Sequence, residues 1–225
     1  MKNLLVAQSG GPTSAINATL AGVVENALSS PSVDRIYGSI NGIQGVLTEN
    51  LIDLKTKITN VSELDLLCQT PASALGSCRV KLKDPAVCAD EYETIISVLR
   101  KYNIDCFIYI GGNDSMDTVD KLSKYLNTKG ITDITVVGAP KTIDNDLCGT
   151  DHCPGFGSAA KYIGTTFAEL ERDCYVYATK AVTIVEVMGR DAGWLTAASC
   201  LARANGAKGP DFIYLCEVPF SIDTF

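Results

Sequence analysis

The chain has 225 residues, of which 46% are hydrophobic, and a formal net charge of −7 at pH 7. That length and apolar content suffice for a buried core, so we expect a soluble globular protein of one large or two small domains. The acidic balance argues against a nucleic-acid-binding surface, which needs clustered basic side chains. An anionic substrate would therefore have to be bound by local donors.

Short apolar runs rich in β-branched or aromatic residues alternate with helical patterns along the chain. The predicted strands are residues 4–7, 36–40, 106–110, 134–138, 181–187 and 212–216. The predicted helices are residues 14–28, 90–102, 115–128, 158–177 and 193–204. This alternation predicts an α/β fold of the doubly wound, Rossmann-like type, with parallel strands buried on both faces.

The nine cysteines stand singly, without CxxC pairs or zinc-binding spacings, which predicts reduced and mostly buried thiols. No apolar run reaches the roughly 20 residues of a membrane span, and the N-terminus lacks a charged leader with a long apolar region. These features predict a cytoplasmic protein. The chain stops shortly after its last predicted strand, which suggests a truncated protein.

Two glycine-rich turns follow predicted strands, where ligands bind in open α/β sheets. The first is SGGPTSAIN, where Gly10 and Gly11 let backbone amides approach a phosphate at a helix N-terminus. It is neither a Walker loop nor GxGxxG, and a plain tight turn with a serine cap is the alternative.

The second turn is GGNDSMD, residues 111–117. Gly111 and Gly112 allow a close backbone pass, and Asp114 or Ser115 can cap the next helix. Asn113 and Asp114 offer oxygen atoms to a hydrated Mg²⁺ ion carrying phosphate. The alternative is an ordinary connection between a strand and a helix.

The segment PKTIDND, residues 140–146, places two acids beside a threonine and a lysine after a strand. Asp144 is the candidate base for a hydroxyl nucleophile, and Asp146 would orient it or a metal-bound water. Lys141 supplies a point charge for donor phosphates. A solvated turn of Asp and Asn is the alternative.

A fourth segment, VMGRDAGW, covers residues 187–194 at the end of a predicted strand. Gly189 exposes the backbone, and the planar guanidinium of Arg190 suits a phosphate in the strand-end crevice. A solvated arginine in a turn is the alternative. The single histidine, His152, is interpreted as a loop residue and not as a base.

In this order and spacing the four segments resemble the phosphofructokinase family over essentially the whole chain, most specifically through TIDND followed by MetGlyArg. The resemblance implies two doubly wound domains, with residues 1–145 binding the phosphate donor and residues 146–225 forming part of a sugar-phosphate-binding domain. The second domain would be incomplete, because family members continue past Phe225 to a His- and Arg-bearing segment that binds the 6-phosphate.

The family resemblance also implies the reaction, a Mg²⁺-dependent phosphoryl transfer to the 1-hydroxyl of fructose 6-phosphate in glycolysis. Asp144 would remove the hydroxyl proton with help from Thr142 and Asp146, while Lys141 and Arg79 approach the transferring group. The sugar phosphate would be bound by Thr142, Asp144, Met188, Gly189, Arg190 and Glu217. The phosphate donor would be bound by Gly10, Gly11, Gly112, Asp114, Ser115 and Lys141.

Two positions resemble the pyrophosphate-using branch. ATP-using relatives typically carry Gly at the positions of Asp114 and Lys141. A carboxylate at 114 would crowd and repel the α-phosphate of a nucleotide, while Lys141 stabilises charge during transfer from pyrophosphate. Asn113 departs from the Asp that is common at this metal-associated position, which implies metal binding that is either weaker or supported more by phosphate and water.

Three alternatives stay open: an ATP-dependent member of the family, a nucleotide or lipid kinase with a similar GlyGlyAsp turn, and a catalytically silent fragment that binds phosphate or assembles with other subunits. The expected partners are fructose 6-phosphate and pyrophosphate or ATP, with no nucleic acid and no membrane. The resemblance implies a homodimer or homotetramer.

Overall fold

The computed structural model describes residues 2–223 and 225. The chain separates into two compact units, Met1–Lys141 and Thr142–Phe225. This division falls slightly before the predicted domain boundary between residues 145 and 146.

The first unit is built on a five-stranded sheet with strand order β3-β2-β1-β4-β5. The strands are β1 Lys2–Gln8, β2 Val33–Ser39, β3 Leu51–Asp53, β4 Ile104–Gly111 and β5 Thr135–Pro140. All neighbouring strands are parallel except β3, which runs antiparallel to β2 at the edge. The predicted α/β class with a mainly parallel sheet is confirmed.

Helices cover both faces of this sheet. They are α1 Ile16–Ser29, α2 Ile43–Leu47, α3 Val61–Gln69, α4 Ala89–Lys101 and α5 Asn113–Thr128. Alternate residues of β1 point into two separate apolar clusters: Leu5 packs with α4 and α5, and Val6 packs with α1 and α3. This burial on both faces explains why the strands of this unit could be predicted from continuous apolar runs.

The strand order reverses direction at β1, because the chain passes to β2 on one side and β4 lies on the other. Ligands bind at such a topological switch point, outside the carboxyl ends of the strands. The buried side chain of Gln8 braces the end of β1, since its Nε2 donates to Ile16 O at 3.0 Å and its Oε1 accepts from Leu75 N at 2.9 Å.

The second unit contains α6 Phe156–Cys174 and α7 Trp194–Ala198, which continues as a 3-10 helix, Ser199–Asn205. The 3-10 helix packs closely on α6 at Gly164, where an added Cβ would lie 2.9 Å from Leu201 Cβ. The fold of this unit therefore depends on helix packing.

Two strand predictions in this unit are wrong. Residues 181–187 and 212–216 are irregular, and neither pairs with another strand in the described part of the chain. Val182 is 87% exposed and Phe212 is 75% exposed. A β-strand needs a neighbour for its backbone hydrogen bonds and a surface against which to pack, and sequence propensity supplies neither.

The thiol prediction is partly wrong. All nine cysteines are free, as predicted, but Cys153 alone among them is buried, while the others are half-buried or exposed. Cys68 and Cys174, for example, lie in the last turns of helices whose polar faces meet solvent. Separately, no helix in the described ranges is both long enough and apolar enough to cross a membrane.

Candidate active site

The first glycine-rich turn leaves the end of β1 and is held by backbone hydrogen bonds. Gly10 has a φ of +75°, which favours glycine, and its N–H donates to Cys78 O at 3.2 Å. Ser77 Oγ donates to Gly10 O at 2.5 Å. At Gly11 an added Cβ would meet nothing within 4 Å, so the backbone there is open to a ligand.

The second turn leaves the end of β4 and is tied to the first by buried hydroxyls. Ser9 Oγ hydrogen-bonds to Ser115 Oγ, and both side chains are buried. The capping prediction is wrong: Gly112 is the N-cap and makes no side-chain cap bond, because α5 begins at Asn113. Asp114 instead lies in the first turn, where a negative charge is favoured by the helix dipole.

The close packing of the serine pair predicts a strict need for glycine at 111. A Cβ at Gly111 would lie 2.1 Å from Ser115 Oγ and 2.5 Å from Ser9 Oγ. We expect Gly111→Ala to lower the free energy of unfolding by about 2 kcal/mol through overpacking. Gly112→Ala is the matched control, because the nearest atom to its added Cβ is Lys141 O at 3.7 Å. Equal urea midpoints for the two variants would contradict this packing.

Lys141 follows β5 and brings a third strand end to the two turns. Its N–H donates to Gly111 O at 3.0 Å, and its Nζ donates to Gly11 O at 2.6 Å. The residue is only 3% exposed. Its ammonium group places positive charge beside the two turns, which favours an anion at their open face.

Two further predicted residues lie at the exposed edge of this region. Arg79 is exposed and follows Cys78, whose carbonyl holds Gly10. Asp114 is also exposed, and its Oδ1 lies 2.6 Å from Lys81 Nζ. Lys81 was not predicted from the sequence, although it lies only two residues after Arg79.

The TIDND segment forms a turn organised by the Thr142 hydroxyl. Thr142 Oγ1 accepts from Asp144 N at 3.1 Å and donates to Asp146 Oδ1 at 3.3 Å. Thr142 N donates to Pro154 O at 3.1 Å, which closes the loop at its base. The Oδ1 atom of Asp144 is buried. The structure therefore brings the three predicted residues of this segment together.

Asn145, which sequence reasoning missed, fixes the shape of this loop. It has a φ of +56° and is 6% exposed. Its Nδ2 donates to Asp151 O at 3.1 Å, and its Oδ1 accepts from Cys153 N at 2.7 Å. Asparagine tolerates the left-handed region better than most residues, so an Asn between two aspartates was a usable signal.

Loss of the Asn145 side chain should destabilise the loop strongly. We expect Asn145→Ala to lower the free energy of unfolding by about 3 kcal/mol, because two buried hydrogen bonds are lost and alanine disfavours a positive φ. Asn145→Gly should recover about 1 kcal/mol of this, since glycine accepts the backbone conformation. Asn26→Ala, on an exposed face of α1, is the control for urea unfolding. An Asn145→Ala variant that unfolds at the wild-type urea midpoint would contradict this role of Asn145.

The predicted sugar-binding residues near α7 are mostly exposed. Gly189 has a φ of +114°, and an added Cβ would lie 2.4 Å from Ala192 O, so glycine is required there. Met188 is 68% exposed. The predicted strand before Arg190 is absent. The Arg190 side chain is exposed to solvent, and its Nε lies 3.4 Å from Asp191 Oδ2.

Glu217 lies at the start of α7. Its Oε1 accepts from Gly193 N at 2.7 Å, and this hydrogen bond is the main cause of a lowered pKa for the carboxyl group. The start of α6 reaches the same place, because the Phe156 ring lies 6.3 Å from the Trp194 ring. His152 is an exposed loop residue, as predicted, and its ring contacts that of Phe156.

The donor set suits a metal ion that arrives with a phosphate. Among the described residues no group of three or more His, Cys, Asp or Glu side chains is arranged to hold a metal. Asn113 and Asp114 are exposed in the second glycine-rich turn and the start of α5. Mg²⁺ typically keeps several waters and binds one or two protein oxygens plus substrate phosphates, and these residues fit that mode.

An open, mainly parallel sheet with two glycine-rich turns and a buried lysine where its strands end defines an α/β protein of the doubly wound type. The phosphofructokinase family profile matches residues 3–225. The chain belongs to this family.

Curated relatives and solved structures agree with this assignment. A pyrophosphate–fructose 6-phosphate 1-phosphotransferase from Xanthomonas campestris is 44% identical, covering 99% of this chain and 53% of the relative. An ATP-dependent 6-phosphofructokinase from Bacteroides thetaiotaomicron is 31% identical, covering 95% and 59%. The crystal structure of a pyrophosphate-dependent phosphofructokinase from Nitrosospira multiformis matches with a TM-score of 0.87 at 43% identity, over 98% of this chain and 54% of that one. The chain thus spans about half the length of the pyrophosphate-dependent relatives that it matches.

Proposed function

We propose that this protein transfers a phosphoryl group from pyrophosphate to the 1-hydroxyl of fructose 6-phosphate, giving fructose 1,6-bisphosphate and phosphate. The observation that carries the proposal is Lys141, a buried cation whose Nζ donates to Gly11 O at 2.6 Å. Relatives at 41–44% identity bear the name of this activity.

The donor would be bound where strands β1, β4 and β5 end. Backbone amides of Gly11 and Gly112 and the α5 N-terminus would offer donors to pyrophosphate oxygens, and Gly10 would let the first turn pass close to them. Lys141 would stabilise the charge that develops on the leaving phosphate. Arg79 and Ser115 complete the proposed donor site.

The acceptor would be activated by the TIDND loop. Asp144 would take the proton of the sugar hydroxyl as its oxygen bonds to phosphorus and the bridging P–O bond breaks. Thr142 and Asp146 hold the loop in place through the hydroxyl bonds described above. Met188, Gly189, Arg190 and Glu217 are the proposed contacts to the sugar phosphate.

Mg²⁺ is the proposed metal, held by Asn113 through its amide oxygen or a water. When bound, a divalent cation neutralises phosphate charge and orients the donor. Location in the cytoplasm and assembly into a homodimer or homotetramer stay predictions.

ATP is the second candidate donor, because an ATP-dependent family member shares 31% identity. Asp114 favours pyrophosphate, since its carboxylate lies in the first turn of α5 and would oppose a nucleotide α-phosphate. The deciding experiment is an aldolase-coupled assay of fructose 1,6-bisphosphate with pyrophosphate and ATP offered in parallel. It should be run on this chain and on a form extended to the length of its relatives. Turnover with pyrophosphate alone is the expected result, and turnover with ATP alone would overturn the donor assignment.

A further inference from the structure

The segment RVKLK, residues 79–83, runs beside the N-terminal half of α5. Leu82 is 1% exposed, whereas Arg79, Lys81 and Lys83 are exposed. Lys121 Nζ of α5 donates to Leu82 O at 3.2 Å, which fastens the segment to the helix. The anchored segment thus carries three exposed cations in a chain of net charge −7.

One of these cations contacts Asp114, the residue assigned above to donor selection. Lys81 Nζ lies 2.6 Å from Asp114 Oδ1, and the two side chains are 64% and 57% exposed. Ion pairs this exposed contribute little to stability. The ion pair therefore matters for two other reasons: it fixes the position of the Asp114 carboxylate, and it lowers the net charge beside the glycine-rich turns.

An isolated carboxylate beside these turns would repel every phosphate donor, pyrophosphate included. An ammonium group in contact with it makes the pair nearly neutral, while the carboxylate keeps its volume and its place. We propose that Lys81 is a positioning residue that holds Asp114 and offsets its charge, so that pyrophosphate is admitted where a nucleotide α-phosphate is excluded. This inference rests on the proposed function.

The first test replaces Lys81 by Met in the same assay. We expect Lys81→Met to raise the KM for pyrophosphate about tenfold, because Asp114 becomes an uncompensated charge. The kcat and the KM for fructose 6-phosphate should stay within about twofold, and Lys81→Arg should restore the pyrophosphate KM. Lys124→Met is the matched control, since Lys124 pairs with Asp120 at 2.7 Å on the exposed face of the same helix.

A second experiment, in the Asp114→Asn variant, distinguishes the positioning of Asp114 by Lys81 from direct contact between Lys81 and pyrophosphate. If Lys81 acts through Asp114, Lys81→Met should have no further effect once Asp114 is replaced by Asn. A tenfold loss that persists in the Asp114→Asn background would overturn the proposal, because Lys81 would then bind pyrophosphate itself. An unchanged KM in Lys81→Met alone would also overturn it.

Calorimetric titration of the same variants with pyrophosphate measures affinity without turnover. A wild-type protein that binds pyrophosphate about tenfold more tightly than Lys81→Met supports the positioning role even where the coupled assay is silent. If the wild-type protein neither binds pyrophosphate in calorimetry nor turns it over in the coupled assay, the proposed function itself is wrong. If the wild-type protein uses pyrophosphate and the Lys81→Met variant does so equally well, only the role of Lys81 is overturned.

Discussion

Replacing Asp144 by Asn is expected to lower kcat for phosphoryl transfer by about 10³-fold. The amide keeps the size and most contacts of the side chain but cannot accept the hydroxyl proton. The Thr142 hydroxyl bond to Asp144 N is a backbone contact, so the loop geometry should survive the substitution. Steady-state kinetics with pyrophosphate should therefore show a loss in kcat and little change in the KM for fructose 6-phosphate.

Asp151→Asn is the control for this variant, because Asp151 is an exposed acid in the same loop and contributes its backbone oxygen to Asn145. Its kcat should equal that of the wild-type protein, and both variants should unfold at the wild-type urea midpoint. Turnover by Asp144→Asn at the wild-type rate would remove Asp144 from the role of base.

The strands of the first unit could be predicted from sequence because their apolar runs are buried on both faces. Val6 and Leu5 pack into different clusters, so no polar alternation interrupts the pattern. The same reasoning failed for residues 181–187, which have equal β-propensity but no ladder partner in the described chain. Propensity records how a residue fits a pleated surface, and it cannot supply the neighbouring strand.

In the candidate site, too, some features could be predicted from sequence and others could not. Residue types with clear chemistry, such as Lys141 and Asp144, could be recognised in sequence because they follow strands. Contacts between residues far apart in sequence could not be predicted in this way. Examples are the hydrogen bond from Lys141 Nζ to Gly11 O and the ion pair between Lys81 and Asp114. Asn145 was missed because its function depends on backbone groups at 151 and 153.

Lys141→Met should lower kcat with pyrophosphate by about 10²-fold, the effect of removing one preorganised charge from a site where negative charge develops. Methionine has a similar length and no charge, so the buried space stays filled. Gly11 O loses its donor, which should cost about 1 kcal/mol in the free energy of unfolding. Coupled assays at saturating pyrophosphate, together with urea unfolding, measure the two effects separately.

Lys141→Arg distinguishes charge from geometry in this experiment. Arginine restores the charge, but its planar guanidinium cannot occupy the compact position that an ammonium takes against Gly11 O. We expect a partial recovery of kcat over Lys141→Met. If Lys141→Met retained the wild-type kcat while losing stability, Lys141 would be a bracing residue of the first turn. The charge needed for transfer would then have to come from another cation, such as the exposed Arg79 of the proposed donor site.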